Sequence, residues 1–368
     1  MSGLYESTAG LYVDELGRAG AHPLMVTHKW ERPDLIAPHS DLDLRLILDA
    51  APASWEEFNG SLATAHTAAV AVDSAHGRLL EHPPGFAFTA QELDEGLVQG
   101  AEVTTWSLLH GQQERLGTWA KAAEVEPWTA SDSRFYRALL RARVGGRYRL
   151  SQDATDNVHW DVIGYLRHCV AWHYVAPCWF AAACLATRSR LPGKLVALTA
   201  WRPGSTVGHA ERFAAHAESD PQPREDPRQL LRHAHAAVDA AMRHICPPDA
   251  DPPEEDPRVG RARAWTMAVG MLRVKPARWW YYLNPPPGVA TGYLIAREAK
   301  ELSTAAPVLA RLAEQGTAAE GRMAGAMAAV LPPPGTPTTT QVLRELLDRW
   351  RAAGSAVEDF LTGPTPEN

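Results

Sequence analysis

Residues 37–48 of the chain read Ala-Pro-His-Ser-Asp-Leu-Asp-Leu-Arg-Leu-Ile-Leu, a stretch in which polar and apolar side chains alternate before apolar ones dominate. The alternation predicts a β-strand over 40–49 with Asp41 and Asp43 on one exposed side, because successive side chains of a strand point to opposite faces. Two neighbouring carboxylates repel each other unless a cation lies between them, and Mg²⁺ prefers oxygen ligands. The stretch therefore predicts either a metal site for phosphoryl chemistry or a pair of solvated aspartates.

Further strands and helices are expected on both sides of this stretch. A strand is predicted over 22–29. A helix is predicted from Ser54, which has Glu57 three residues later as in a capping box, through the alanine-rich run that follows. A short helix over about 90–98 and a β-favouring run over 101–109 complete the first third of the chain, which thus combines strands with helices.

The rest of the chain has a helical pattern. From about Trp119 onward, alanine-, leucine- and arginine-rich segments with a helical period alternate with proline-rich loops. Helices are predicted over 131–143, 158–190, 206–218, 227–245, 258–273, 290–315 and 338–362. The sequence therefore predicts an α+β fold, with a mixed β-sheet and helices in an α/β domain over 1–115 and a larger all-helical domain over 116–362. Residues 363–368 are expected to form a disordered tail.

Composition narrows the class of protein. The chain has 368 residues, of which 45% are hydrophobic and 21% charged, and these values exclude fibrous, disulfide-scaffold and wholly disordered proteins. The formal net charge of -7 argues against a general affinity for nucleic acid and favours a small-molecule partner. No signal peptide or membrane-spanning run is evident, and the four cysteines lack C-x-x-C spacing, so a cytoplasmic protein without a membrane partner is expected.

Two segments resemble a known superfamily. Residues 38–44, Pro-His-Ser-Asp-Leu-Asp-Leu, resemble the metal-binding strand of the nucleotidyltransferase fold, most closely that of aminoglycoside adenylyltransferases of the streptomycin/spectinomycin type. Residues 101–106, Ala-Glu-Val-Thr-Thr-Trp, resemble the later strand that carries their third carboxylate. Over about residues 20–110, the resemblance implies a nucleotidyltransferase-like sheet in which Asp41 and Asp43 bind Mg²⁺ together with a nucleoside triphosphate. It also implies that Glu102 is the third metal-site carboxylate or the base that deprotonates the acceptor; otherwise Glu102 is a solvent-facing strand residue.

The chain departs from the family pattern at the nucleotide-binding segment. Family members place a Gly-Ser pair about a dozen residues before the first aspartate, at a helix start that holds the triphosphate through backbone N–H groups. Residues 26–34 of this chain, Val-Thr-His-Lys-Trp-Glu-Arg-Pro-Asp, contain no glycine. Either Lys29 and Arg32 replace that cradle by direct charge, or the nucleotide is bound differently, or its binding has been lost. Residues 77–88 look like an insertion between the two matching segments.

Other side chains are candidates for ligand contact. Ser40 lies beside the paired aspartates and is a candidate nucleotide contact. Arg137 and Arg141 lie four residues apart on a predicted helix and form either a phosphate-binding patch or a solvated helix face. The aromatic run over 279–282, Trp-Trp-Tyr-Tyr, either stacks on a planar ligand or packs between helices.

The function implied by the resemblance is Mg²⁺-dependent transfer of a nucleoside monophosphate, AMP from ATP or the equivalent from another NTP, onto a small-molecule acceptor. The helical domain would supply the acceptor pocket, and no nucleic acid partner is expected. The alternative is a protein of the same fold that has lost or altered this activity and acts as a ligand-binding or interaction protein, or as a different small-molecule enzyme. A third reading, an all-helical scaffold without a catalytic role, treats the three carboxylates as coincidence. The acceptor and the oligomeric state are left open.

Overall fold

A computed structural model describes residues 3–31, 34–35, 40–144, 167–201, 256–289, 291–315, 317–333 and 335–363. Up to residue 110, the described elements are α1 (Gly3–Arg18), β1 (Met25–Lys29), β2 (Leu44–Leu48), α2 (Trp55–Val72), α3 (Ser74–Leu79), β3 (Phe86–Thr89), α4 (Ala90–Asp94), α5 (Gly100–Val103) and β4 (Trp106–His110). The four strands form one mixed sheet with helices packed around it, which confirms the predicted α+β class.

The directions of the strands bring distant parts of the chain to one edge of the sheet. The strand order is β3-β2-β1-β4. β1 is antiparallel to both β2 and β4, whereas β2 and β3 are parallel. As a result, β1 ends at the same edge at which β2, β3 and β4 begin. We call this the site edge, and the residues that follow β1 or precede the other three strands lie near it.

Two N-terminal helices illustrate what local sequence determines. The hydroxyl of Ser54 accepts a hydrogen bond from the backbone N–H of Glu57 (3.2 Å) at the start of α2, as the capping spacing predicts. The sequence analysis does not predict α1, although its buried side chains recur at three- and four-residue intervals, which is the pattern of one apolar helix face. These buried residues are Tyr5, Thr8, Ala9, Tyr12 and Leu16.

The paired aspartates lie just outside a strand. The predicted strand over 40–49 is shorter than expected, because β2 begins only at Leu44. Leu42 is nevertheless buried while Asp41 and Asp43 are half-buried, so the predicted alternation of faces extends into the irregular segment before β2. The aspartates therefore stand at the site edge and not within the sheet.

The prediction for residues 101–109 is wrong in its first part. The residues from Gly100 to Val103 form the short helix α5, in which the backbone N–H of Val103 donates to the carbonyl of Gln99 (3.2 Å). The β-favouring composition of this segment is overridden because all four residues of α5 are buried against neighbouring elements. The strand β4 starts only at Trp106.

Residues 77–88 contain the start of β3, and their description as an insertion stays a prediction. This strand has four residues and directly follows the turn Pro83-Pro84-Gly85, so its own sequence gives a weak strand signal. Its parallel pairing with β2, in which Arg45 is opposite Phe86, supplies the missing stabilisation. The sheet therefore gains a strand that local patterning does not reveal.

The described C-terminal part is helical, as predicted. Its helices are α6 (Gln113–Val125), α7 (Ala130–Val144), α8 (Arg167–Thr187), α9 (Lys194–Ala200), α10 (Pro257–Leu272), α11 (Lys275–Leu283), α12 (Gly292–Gln315), α13 (Ala318–Val330), α14 (Thr340–Ala353) and α15 (Ser355–Thr362). Among the residues described, no helix is both long and apolar enough to cross a membrane.

Most of the predicted C-terminal helices that fall in this part are found. The ranges 131–143, 258–273 and 290–315 correspond to α7, α10 and α12. The predicted helix over 338–362 is divided into α14 and α15 at Gly354, whose φ of 46° interrupts the helical backbone. Outside the described residues lie the predicted helices 206–218 and 227–245, the first part of 158–190 and residues 364–368 of the predicted tail.

The largest hydrophobic cluster contains residues from both predicted domains, including Leu46 of β2 and Trp279 of α11. Packing of α11 on α2 and of α10 on β3 forms this shared core. A buried guanidinium reinforces it: Arg273 donates to the carbonyl of Leu361 (2.8 Å), to the carbonyl of Ala87 (3.3 Å) and to the carboxylate of Glu92 (2.7 Å). The described C-terminal helices are thus held directly against the sheet, while the boundary at residue 115 stays a prediction.

Replacement of Arg273 tests this connection. The variant Arg273→Met should lower the free energy of unfolding by about 3 kcal/mol or more, because it removes a buried charge that donates to two carbonyl oxygens and to the carboxylate of Glu92. Urea denaturation followed by circular dichroism measures the change. The exposed Arg258 serves as the matched control, and Arg258→Met should change stability by less than about 0.5 kcal/mol. Equal effects of the two substitutions would contradict a structural role for the Arg273 contacts.

Candidate metal centre

The site edge collects charged side chains from four separate segments. Lys29 is the last residue of β1, Asp43 directly precedes β2, and Glu81 and His82 lie shortly before β3. Glu102 lies on α5, just ahead of β4. The topology of the sheet brings these side chains together even though they are spread over more than seventy residues of sequence, as the Lys29–Glu102 separation of 73 shows.

Asp41 and two of these side chains are arranged as cation ligands could be. Asp41, Glu81 and His82 each offer a ligand atom, and these atoms all lie within 4.8 Å of one another. Ligand atoms on opposite sides of a divalent cation lie about 4.2–4.8 Å apart when the metal–oxygen bonds measure about 2.1–2.4 Å. Asp43 is adjacent, with its Oδ1 atom 3.6 Å from Nε2 of His82. We call these four residues the Asp-His cluster.

The imidazole of the Asp-His cluster has a defined orientation. His82 is 3% exposed, and its Nδ1 lies 2.8 Å from the carbonyl oxygen of Pro83. Because a carbonyl oxygen can only accept a hydrogen bond, Nδ1 carries the proton in this contact. Nε2 then faces the carboxylate of Asp43 on the other side of the ring.

Glu102 lies in an ion-pair cluster of its own. Its carboxylate is 2.8 Å from Nη2 of Arg45 and 3.1 Å from Nζ of Lys29, and Nε of Arg45 adds a hydrogen bond of 2.9 Å. Burial alone would raise the pKa of Glu102, but the two cations outweigh it and lower the pKa to about 2. A carboxylate with so low a pKa is a weak base near neutral pH. The geometry therefore favours a structural role for Glu102 over the predicted role as metal ligand or base.

The segment that lacks a glycine adopts a backbone conformation that favours one. Trp30 has a φ of 78°, in the left-handed region that bulky residues rarely occupy. Its backbone N–H donates to the carbonyl of Thr105 (2.7 Å), and its ring packs edge-to-face on Phe180 with centroids 4.9 Å apart. The ammonium of Lys29 lies 5.2 Å from the centroid of the same ring. Tertiary contacts thus hold the strained residue in place beside the site edge.

The remaining residues predicted to contact a nucleotide lie in different parts of the structure. Ser40 is buried, and its carbonyl accepts a hydrogen bond from the hydroxyl of Tyr5 (3.1 Å), which attaches the segment before the aspartates to α1. Arg32 lies outside the described residues. Arg137 is half-buried on α7, and Arg141 lies on the same helix with a side chain outside the described part. Contact of these residues with a nucleotide stays a prediction.

The aromatic run falls on α11 and divides between core and cavity. Trp279, Tyr281 and Tyr282 are buried, so they pack between helices and do not stack on a ligand. Trp280 is 45% exposed and lines a cavity of about 300 Å³ together with Trp350. Packing therefore accounts for three of the four aromatic residues.

Glu81 and His82 are not among the residues that the sequence predicts for the site. A Glu-His pair before Pro-Pro-Gly has no distinctive pattern by itself. Its significance depends on β3 lying parallel to β2, and that pairing is not visible in the sequence of either segment. Recognising Phe86–Thr89 as a strand next to β2 would have been the signal needed to place the pair beside Asp41.

Comparison of the chain with protein-family models, with curated proteins and with solved structures gives no match. The resemblance of residues 38–44 and 101–106 to nucleotidyltransferases therefore stays a prediction that rests on those residues. The geometry of the site edge supplies the further argument for function.

The variant Glu102→Gln tests the ion-pair cluster. The charge of Glu102 should contribute about 3 kcal/mol to stability at neutral pH, since its pKa falls from 4.5 to about 2 on folding. A lowered pKa in the folded state gives a contribution that is complete above the unfolded pKa and is lost as the pH falls towards the folded value. The stability difference between the parent and Glu102→Gln should therefore shrink between about pH 5 and pH 2.

Urea denaturation at several pH values measures this difference. The exposed Glu57 provides the control, because Glu57→Gln removes the same charge outside the cluster. A difference between the parent and Glu102→Gln that stays constant from pH 7 to pH 3 would show that the two cations do not stabilise the ionised carboxylate.

Proposed function

We propose that the chain is a divalent-metal-dependent nucleotidyltransferase that transfers AMP from ATP to a hydroxyl group of a small-molecule acceptor. The observation that supports this most is the meeting of Asp41, Asp43, Glu81 and His82 at one edge of the sheet. The proposal also rests on the resemblance of residues 38–44 to the metal-binding strand of such enzymes.

The donor atoms of the Asp-His cluster fit a divalent cation. The cluster offers three carboxylates from two neighbouring segments, and oxygen donors suit Mg²⁺. A bound metal would neutralise the triphosphate and polarise its phosphorus. Asp41 and Asp43 would hold the cation, and Glu81 would supply the third carboxylate that the sequence analysis assigns to Glu102.

The Glu102 ion-pair cluster offers positive charge beside these carboxylates. It contains two cations, Lys29 and Arg45, and one anion, so it carries one net positive charge. Lys29 is the more accessible of the two cations, with 12% of its side chain exposed against 6% for Arg45. We assign to Lys29 the stabilisation of the pyrophosphate leaving group, with Arg32 and the arginines of α7 as further candidates.

The chemistry requires one bond to form and one to break. The acceptor oxygen forms a bond to the α-phosphorus of ATP, the bond from that phosphorus to the bridging oxygen breaks, and pyrophosphate leaves with the electron pair. The acceptor proton needs a base. Glu102 is unsuited to this role, because its pKa is about 2 and two cations bind its carboxylate, and Glu81 would hold the metal. We therefore assign the proton to a water molecule, which passes it to solvent.

The use of ATP suits a cytoplasmic location, which belongs to the same proposal. The buried residues Cys178 and Cys184 form no disulfide bond with a described residue, which is compatible with a reducing compartment.

The alternative function is ligand binding or a different small-molecule chemistry without nucleotidyl transfer. Trp30 favours this alternative, because the resemblance implies a glycine-containing backbone cradle in this segment and the chain has a bulky side chain there. Thermal unfolding with ATP and Mg²⁺ separates the two. ATP at about 100 times its dissociation constant should add about 2.7 kcal/mol of stability. Absence of any shift with ATP, GTP, CTP and UTP would favour the alternative.

The substitutions Asp41→Asn and Asp43→Asn test the proposed mechanism. Each should reduce AMP transfer by about 100-fold or more, measured as pyrophosphate release with a panel of hydroxylated acceptors, because a ligand charge is lost.

Asp49 provides the matched control. It is exposed at the opposite end of β2, so Asp49→Asn should retain full activity. Unchanged pyrophosphate release by Asp41→Asn and Asp43→Asn would exclude the mechanism.

A further inference from the structure

We infer that His82 is a metal ligand, and that the Asp-His cluster binds a cation that accepts nitrogen as well as oxygen donors, with Zn²⁺ and Mn²⁺ preferred over Mg²⁺. The inference rests on the proposed function, which assigns a divalent cation to the site edge. It differs from the expectation based on resemblance, in which carboxylates alone hold Mg²⁺.

The first argument is the protonation pattern of the imidazole. The contact of Nδ1 with the carbonyl of Pro83 (2.8 Å) places the ring hydrogen on Nδ1. A neutral imidazole in this tautomer carries its lone pair on Nε2. Metal-binding histidines typically have this arrangement, in which a carbonyl or carboxylate fixes one nitrogen and the other binds the metal. At 3% exposure, His82 is also held in place by its surroundings.

The second argument is the direction in which Nε2 points. It faces Oδ1 of Asp43 at 3.6 Å, and the cluster also brings a ligand atom of His82 within 4.8 Å of those of Asp41 and Glu81. In the assigned tautomer, the imidazole lone pair and the carboxylates present negative potential to the same small region. A shared cation makes this arrangement favourable. A proton on Nε2 is the competing explanation, and the experiment below separates the two.

The third argument is that the backbone fixes the two ligand segments relative to each other. The N–H of Leu42 donates to the carbonyl of Leu79 (2.8 Å), and the N–H of Gly85 donates to the carbonyl of Leu44 (2.9 Å). These bonds lie on either side of the Glu81–His82 pair. The ligands therefore come from two segments that are joined in register, which is the preorganisation that a metal site requires.

The choice of metal follows from the donor set. Mg²⁺ binds oxygen almost exclusively and keeps several of its waters, so an imidazole contributes little to its affinity. Zn²⁺ and Mn²⁺ accept mixed nitrogen and oxygen ligands, and affinity at such sites rises from Mn²⁺ to Zn²⁺. A donor set of three carboxylates and one imidazole thus favours the order Zn²⁺, Mn²⁺, Mg²⁺.

Titration of the full-length protein with each metal, after treatment with a chelator and without nucleotide, tests the inference. We expect one Mn²⁺ per chain, bound about 10-fold or more tightly than Mg²⁺. Pulsed electron paramagnetic resonance of the Mn²⁺ complex should show coupling to one ¹⁴N nucleus of an imidazole. Magnetic coupling of this kind requires direct ligation, which a merely structural histidine does not provide.

Three variants complete the design. His82→Gln should remove the nitrogen coupling and weaken Mn²⁺ binding by about 10-fold or more, while Mg²⁺ binding changes much less. Glu81→Gln should weaken binding of both metals and keep the nitrogen coupling. This second variant keeps the inference testable if His82→Gln does not fold. The exposed His22 is the control, and His22→Gln should leave all of these properties unchanged.

The outcomes separate this inference from the proposed function. Mn²⁺ bound without nitrogen coupling, or equal affinity for Mn²⁺ and Mg²⁺, would overturn the inference and support a protonated His82 paired with Asp43. If AMP transfer then still depended on Asp41, the proposed function would survive that result. Nitrogen coupling in a protein that transfers no nucleotide would support the inference and count against the proposed function.

Discussion

The carboxylate of Glu102, held between Arg45 and Lys29, is the interaction on which the site edge depends. Lys29 ends β1, Arg45 lies in β2 and Glu102 precedes β4, so a single buried anion joins three strands at the edge where they meet. A buried charge is tolerated only when its partners are correctly placed, because removal of one partner leaves the others uncompensated. The ends of these strands are thereby fixed relative to each other. The acidic side chains that precede β2 are therefore attached to a strand whose end is held in place.

A second buried network determines where Glu102 itself lies. Gln99 directly precedes α5, and its side-chain amide donates to the carboxylate of Asp132 (3.1 Å). This carboxylate also accepts hydrogen bonds from the guanidinium of Arg190 (2.6 and 2.8 Å). Gly100 approaches this guanidinium so closely that a Cβ atom there would lie 3.2 Å from Nε of Arg190. The helical part of the chain thus positions α5, and through it the carboxylate that organises the site edge.

Structural features that depend only on residues close together in the sequence can be predicted from the sequence. The cap at Ser54 and the alternation around Asp41 and Asp43 follow from neighbouring residues, and the structure contains both. The partners of Glu102 lie 57 and 73 residues away, so its environment depends on pairing between strands that no local pattern encodes. For the same reason the sequence indicates half of the Asp-His cluster and omits Glu81 and His82. The half that precedes β3 acquires its role only through the parallel alignment with β2.

Trp30 also determines how two cations are accommodated beside the site edge. The residue is 8% exposed, and the ammonium groups of Lys29 and Lys194 lie 5.2 and 4.8 Å from the centroid of its ring. An ammonium group is attracted electrostatically to the face of an indole, most strongly where water is excluded. A glycine at this position would relieve the strained backbone but would remove this attraction from both lysines. The bulky residue therefore exchanges backbone strain for the placement of two positive charges.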